Sequence, residues 1–205
     1  KFKAKPDSGR LMNLKYSEAQ VFSLDLLPRS SIAQSMDVLS SLASLSGYKA
    51  VVTAANEFPG YLPMMTTSAG TIPPAKVLIL GAGVAGLQAI AAAKRLGAVV
   101  NAFDVRASVK EEVESLGARF IEVAGNYDDK SAGGYAVKQS DDYIRKQKEL
   151  IHEIAIKADI IITTANIPGR QAPVLIEKKT LNEMKSGSII VDMATASGGN
   201  CEFSK

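Results

Sequence analysis

Four consecutive apolar residues, Val77-Leu78-Ile79-Leu80, run straight into Gly81-Ala82-Gly83-Val84-Ala85-Gly86, and an alanine-rich stretch ending at Gly97 follows. A short apolar run reads as a buried strand, and the stretch from 84 to 96 reads as a helix. A glycine triad alone serves many ordinary turns, but between a strand and a helix it has a specific use. There the first glycine permits the tight turn, the second lets a phosphate group approach the backbone without meeting a Cβ, and the third lets the helix pack close to the sheet. The free amides at the helix N-terminus then face the anion.

The flanking pattern extends this unit. Strands are expected at 76–80, 99–103, 119–123, 159–163 and 188–193, alternating with helices at 84–96, 108–116, 138–157 and 177–185. Parallel neighbours need crossover connections, so the alternation implies an α/β fold with a Rossmann-type, doubly wound parallel sheet. Upstream, residues 1–20 are polar and basic, and 21–27 read as a strand stopped by Pro28. From Ser31 apolar residues recur at helical spacing towards Ala55, with Ser30 or Ser31 as cap and a possible break at Gly47. The glycines and prolines between 59 and 74 suggest irregular chain, and 124–137 a long loop.

Asp104 closes the second strand 18 residues after Gly86, near the position where an acid accepts hydrogen bonds from an adenosine ribose. A carboxylate there repels a 2′-phosphate, which favours NAD(H) over NADP(H). Two other readings stand beside this one: Asp104 as the cap of a helix starting near Ser108, and Arg106 as a partner for a 2′-phosphate.

Composition removes other classes. The 24 Lys and Arg and 21 Asp and Glu are scattered without aromatic interleaving, which argues against a nucleic-acid face. The single Cys201 forms no internal disulfide, no Cys/His cluster has metal-ligand spacing, and a reducing compartment follows. Unbroken apolar runs fall well short of the roughly 20 residues that cross a bilayer, so membrane association is expected only through a larger complex. Cys201 and His152 read as structural residues.

Five segments together carry a family resemblance: Pro28-Arg29-Ser30-Ser31-Ile32-Ala33-Gln34-Ser35-Met36-Asp37, the glycine hexapeptide, Ala132-Gly133-Gly134-Tyr135-Ala136, Ile167-Pro168-Gly169-Arg170-Gln171-Ala172-Pro173-Val174-Leu175, and Gly198-Gly199-Asn200-Cys201. In this order they resemble the NAD(H)-binding domain I of proton-translocating nicotinamide nucleotide transhydrogenase. That family passes hydride directly from NADH on domain I to NADP⁺ on a separate domain III, coupled to proton movement through a membrane domain II. The resemblance implies a homodimer, peripheral to a membrane complex on the bacterial cytoplasmic face or in the mitochondrial matrix. It also implies three segments: the tail of a first, truncated α/β subdomain (1–27), a loop and connecting helix (28–58), and the NAD-binding subdomain (59–205). The first residue, Lys1 rather than Met, fits a piece of a longer polypeptide.

By the same resemblance Arg29, Gln34 and Asp37 form the loop that holds the nicotinamide, with Ser30, Ser31 and Ser40 in the cofactor site. A carboxamide needs both donors and acceptors to fix which ring face is presented. Gly81, Gly83, Val84, Gly86, Asp104, Val105, Arg106, Gln147 and Asn166 line the nucleotide, and Gly134 and Tyr135 belong to a loop that closes over it. Asn166 replaces an apolar residue and Ile32 an arginine of the family pattern. On the residues alone, Arg29, Gln34 and Asp37 read first as a capped amphipathic helix start with solvated polar residues, and the resemblance reverses that preference. Two rival functions share the architecture: an alanine dehydrogenase-like oxidoreductase, and a non-catalytic NAD-sensing module, which would have no use for a nicotinamide-orienting loop.

Overall fold

The computed structural model describes residues 13, 16, 20, 24, 27, 30–123, 141–166 and 170–204. Its contacts divide the chain into two units, 1–43 and 44–205. Most of the strand expected at 21–27 lies outside the described residues; the described Leu24 is in a 3₁₀ turn and Leu27 in no regular element.

A short 3₁₀ turn, Ala33–Met36, lies in the first unit, and helix α1, Val38–Glu57, begins there and runs from residue 44 onward in the second. The helix starts later than the serines suggested. Asp37 caps it: its carboxylate accepts the Ser40 amide at 3.0 Å and the Ser40 hydroxyl at 2.6 Å. A carboxylate satisfies orphan amides of a first turn and complements the helix dipole, so aspartate outcompetes the upstream serines. Ser30 instead closes the preceding turn, its carbonyl accepting the amides of Ala33 and Gln34.

The helix continues through Gly47, where a break was possible. A Cβ there would lie 2.1 Å from the Ala85 carbonyl oxygen, so the glycine serves close helix packing rather than interruption. Among the described residues α1 is long and apolar enough to cross a membrane by length and composition, which the unbroken-run criterion overlooked. Its Ala50, Val51 and Ala54 are instead buried in the core of the second unit.

The segment expected to be irregular contains a hairpin, β1 (Met65–Thr67) with β2 (Gly70–Ile72). Its β-branched residues, Thr66 facing Thr71 with hydroxyls 3.3 Å apart, outweigh the prolines, which stand outside the paired positions.

The main sheet comprises β3 (Lys76–Leu80), β4 (Val99–Phe103), β5 (Arg119–Ile121), β6 (Ile160–Thr163) and β7 (Ile189–Asp192), in the order β5-β4-β3-β6-β7 and parallel throughout. The chain starts in the centre, winds outward to β5 and returns to the other side. The order therefore reverses between β3 and β6, the switch point where doubly wound sheets open a crevice at their carboxyl ends.

Side chains divide by strand alternation into two cores. Val77, Ile79, Val100 and Ala102 pack with α2 (Val84–Arg95), whose Ala89, Ile90 and Ala93 are buried, and with Val113 of α3 (Lys110–Ser115). Leu78, Leu80, Phe103 and Ile161 pack with Tyr143, Ile151 and Ala155 of α4 (Asp141–Ala155) and with Leu175 and Ile176. The remaining helix, α5, is Lys178–Glu183. The helix expected at 108–116 divides into a 3₁₀ turn, Ala107–Val109, and α3, because the first turn tightens where no side chain caps it.

β3 has neighbours on both edges and both faces, and Ile79 is fully buried in it. Ile79→Ala should cost about 2–5 kcal/mol through lost burial and a residual cavity. Urea unfolding of the two proteins measures the difference.

Candidate functional site

Because the sheet is parallel, the segments after β3, β4, β6 and β7 emerge at one edge. The turn after β3 is held from both neighbours: the Gly81 amide donates to the Phe103 carbonyl at 2.8 Å, and the Thr164 amide to the Leu80 carbonyl at 2.7 Å. Gly81 has φ +104°, a conformation that L side chains rarely adopt, and a Cβ there would meet the Thr164 hydroxyl at 2.6 Å. Thr164 donates that hydroxyl to the Gly81 carbonyl at 3.0 Å. A Cβ on Gly86 would lie 1.8 Å from the same Gly81 oxygen, so the third glycine sets how closely α2 approaches the turn.

Gly83 is different. It is the N-cap of α2, exposed, and a Cβ there would meet nothing within 4 Å. The first amides of a helix have no intrahelical acceptor, and no side chain caps those of α2. Val84, 45% exposed, stands at the same rim. An unobstructed glycine before uncapped amides fits an incoming pyrophosphate.

Asp104 follows β4 and is 9% exposed. One carboxylate oxygen accepts the Ala82 amide at 2.8 Å, which ties the acid to the glycine turn. Arg106 binds it bidentately, Nε and Nη2 each at 2.9 Å, and adds its own backbone amide at 2.9 Å. The acid thus bridges turn and arginine, and the helix-cap reading does not describe it. In this state the carboxylate's four acceptor directions are all used.

Asn166, exposed, follows β6 at the same edge. Gln147 is 7% exposed and lies on the α4 stripe shared with the buried Tyr143 and Ile151. Val105 is half-buried beside Asp104. Ser30, Ser31, Gln34, Asp37 and Ser40 belong to the first unit, where Gln34 is exposed and Asp37 and Ser40 form the cap of α1. Arg29, Gly134 and Tyr135 lie outside the described residues.

Sequence reasoning missed the hub after β7. Asp192 accepts the Thr163 hydroxyl at 2.9 Å, the amides of Ala194, Asn200 and Cys201 at 2.9, 2.7 and 3.0 Å, and the Ser204 hydroxyl. Asn200 Nδ2 then donates to the carbonyls of Ala165 and Pro173, both at 2.8 Å, fastening the loop after β6 to the loop after β7. Only the Gly198-Gly199-Asn200 motif pointed towards this network. Burial alone would push the Asp192 carboxyl up, but donation from the Ser204 hydroxyl, the Ala194 and Cys201 amides and the Thr163 hydroxyl holds it below the usual carboxylate range. Its charged form therefore supports folding above the unfolded-state value of about 3.9, and the support is lost as pH falls through the lower folded value.

Two predictions test this edge. Gly86→Ala should destabilise the protein by about 1–3 kcal/mol through overpacking, whereas Gly83→Ala should leave thermal unfolding within about 1 kcal/mol of the parent, since its backbone suits any residue. Asp192→Asn should cost about 1–3 kcal/mol at pH 7 by turning a donor towards donors. That difference should shrink as pH falls from about 4, where the unfolded aspartate takes up a proton, through the lower folded value, where the native one does too; denaturant titrations across pH measure it.

The family profile described as "Alanine dehydrogenase/PNT, C-terminal domain" matches residues 50–205. The chain is 54% identical over 190 residues to an NAD(P) transhydrogenase alpha-subunit polypeptide of Rhodospirillum rubrum, covering 90% of this chain and 48% of that protein. To the NAD(P) transhydrogenase subunit alpha of Haemophilus influenzae it is 50% identical over 195 residues, covering 95% of this chain and 38% of that protein. It superposes on a transhydrogenase structure from Sinorhizobium meliloti with a TM-score of 0.79 at 52% identity, covering 90% of this chain and 49% of the other. An L-alanine dehydrogenase structure gives 0.62 at 26% identity, covering 82% and 42%. The chain thus spans half or less of the length of these relatives. The parallel sheet, the glycine turn at its switch point and the profile match over 50–205 agree: this chain belongs to the alanine dehydrogenase/PNT C-terminal domain family.

Proposed function

We propose that this chain is the NAD(H)-binding component of a proton-translocating transhydrogenase, passing hydride between its nicotinamide and an NADP(H) held on a separate domain. The observation that carries the reading is the site at the carboxyl edge, where an open Gly83 and uncapped amides stand beside a buried acid, in a chain 54% identical to a transhydrogenase subunit. The lower identity to L-alanine dehydrogenase, 26%, ranks the amino-acid reading second.

NAD(H), when bound, supplies the hydride; the residues of the chain bind and orient. In this proposal the α2 amides and Gly83 take the pyrophosphate, and Asp104 takes the adenosine ribose, released by Arg106. A negative acid at that position disfavours the 2′-phosphate of NADP(H). Val84, Val105, Gln147 and Asn166 complete the walls. Arg29, Gln34 and Asp37, with Ser30, Ser31 and Ser40, fix the carboxamide and hence the ring face, while Gly134 and Tyr135 belong to a closing loop. Transfer between two nicotinamides exchanges no proton with the protein, so positioning is the whole catalytic task. Partners are the NADP(H)-binding domain, a membrane domain and a second copy of the chain, so the protein works at the surface of a membrane complex.

The test combines the protein with an NADP(H)-binding component and follows reduction of an NADP⁺ analogue by NADH, with alanine-dependent NAD⁺ reduction in parallel. Transfer between nucleotides without alanine activity is the expected result; alanine-dependent reduction alone sinks the proposal. Gln34→Ala should lower turnover at least tenfold while NADH affinity changes less than threefold, because its carboxamide contact orients rather than anchors.

A further inference from the structure

The opposite edge of the sheet carries a second feature that the dinucleotide reading leaves unused. A cavity of about 390 Å³ opens at the amino ends of β3, β4 and β5. Lys76, Lys94, Arg119 and Lys157 line it, and no acidic residue does. Among the described residues none of these four cations has an ion pair. Two acids close in sequence to these cations are engaged with others: Asp159 pairs with Lys185 at 2.6 Å and accepts the Lys76 amide, and Glu122 pairs with Lys110 at 2.8 Å.

Four like charges around one opening repel one another, so their convergence needs an account. Some of it is local: α2 and α4 end here, each terminus carrying roughly half a negative charge. Those two ends offset about one of the four cations and leave the rest uncompensated. The wall is also shaped for Lys94. Gly117 has no side chain, and the Lys94 Cε lies 3.3 Å from where a Cβ would stand, so the lysine stem runs along the cavity instead of into solvent. Between the cations the lining is apolar, with the accessible part supplied by Val99, 46% exposed, and the half-buried Ile154.

We propose that this cavity is a binding site for a small organic polyanion, of the class that includes phosphorylated metabolites. The apolar lining takes the body of the ligand. Lysines act as point charges for phosphate oxygens, and Arg119 offers a planar fork. The volume falls within the range of small-molecule sites, about 300–1,000 Å³. Lys76 and Gly81 stand at opposite ends of β3, about 16 Å apart at about 3.3 Å per residue. One ligand of this size therefore cannot fill both sites, and the second site stands or falls independently of the proposed function.

The experiment is calorimetric titration of the protein with inorganic pyrophosphate while saturating NADH occupies the glycine turn, repeated with Lys94→Gln/Arg119→Gln. Saturable one-to-one binding that weakens at least tenfold in the double variant, with NADH affinity unchanged, is expected. Absence of saturable pyrophosphate binding in the parent, or equal binding by parent and variant, overturns the site. Should the double variant lose NADH binding as well, Lys157→Gln alone, at an exposed position past the end of α4, decides by the same titration: weakened pyrophosphate binding supports the site and unchanged binding overturns it.

Discussion

The structure turns on one close approach, that of α2 to the Gly81 carbonyl. With a Cβ on Gly86 the helix would have to retreat from an oxygen 1.8 Å away, and its N-terminus would no longer sit against the turn that β3 delivers. Everything at the carboxyl edge is referred to that contact. Thr164 braces the same carbonyl from β6, and Asp104 braces the adjacent Ala82 amide from β4. The glycine turn is thereby clamped by the strands on either side of it, and the free amides of α2 project from a rigid base.

The two edges of the sheet divide the charge. At the carboxyl edge the acid is neutralised internally by a bidentate arginine, and the open electropositive feature is backbone, the uncapped start of a helix. At the amino edge the positive charge is carried by side chains around an apolar lining. The Asp192 hub joins the last two strands to the chain beyond them, so that the loops after β6 and β7 are fastened to each other through Asn200.

The features of this fold that were legible in the sequence are those set by local chemistry. Val77-Leu78-Ile79-Leu80 could only be a buried strand before that glycine turn, and the five strands of the sheet were found within a residue or two. The hairpin at 65–72 was hidden by prolines that flank its pairing instead of interrupting it. Gly47 looked like a break because a sequence shows what a glycine lacks, not that Ala85 of another helix fills the space. The cap of α1 was misread because several polar residues could serve, and the choice of Asp37 depends on where the helix begins. Asp104 was legible as the acid that directly follows β4, but its bidentate pairing with Arg106 was not. Asp192 was illegible for a different reason: its donors come from Thr163, at the end of another strand, and from the loop out to Ser204, and no spacing rule connects them.

The central claim is that the carboxyl edge is the dinucleotide site and that its acid exchanges arginine for ribose. A crystal structure of the protein with NADH tests this most directly. The account predicts the pyrophosphate over Gly83 and the α2 amides, with the ribose hydroxyls on Asp104 and the Arg106 guanidinium moved off it. A nucleotide bound elsewhere, or one bound with the Asp104–Arg106 pair intact, would contradict it.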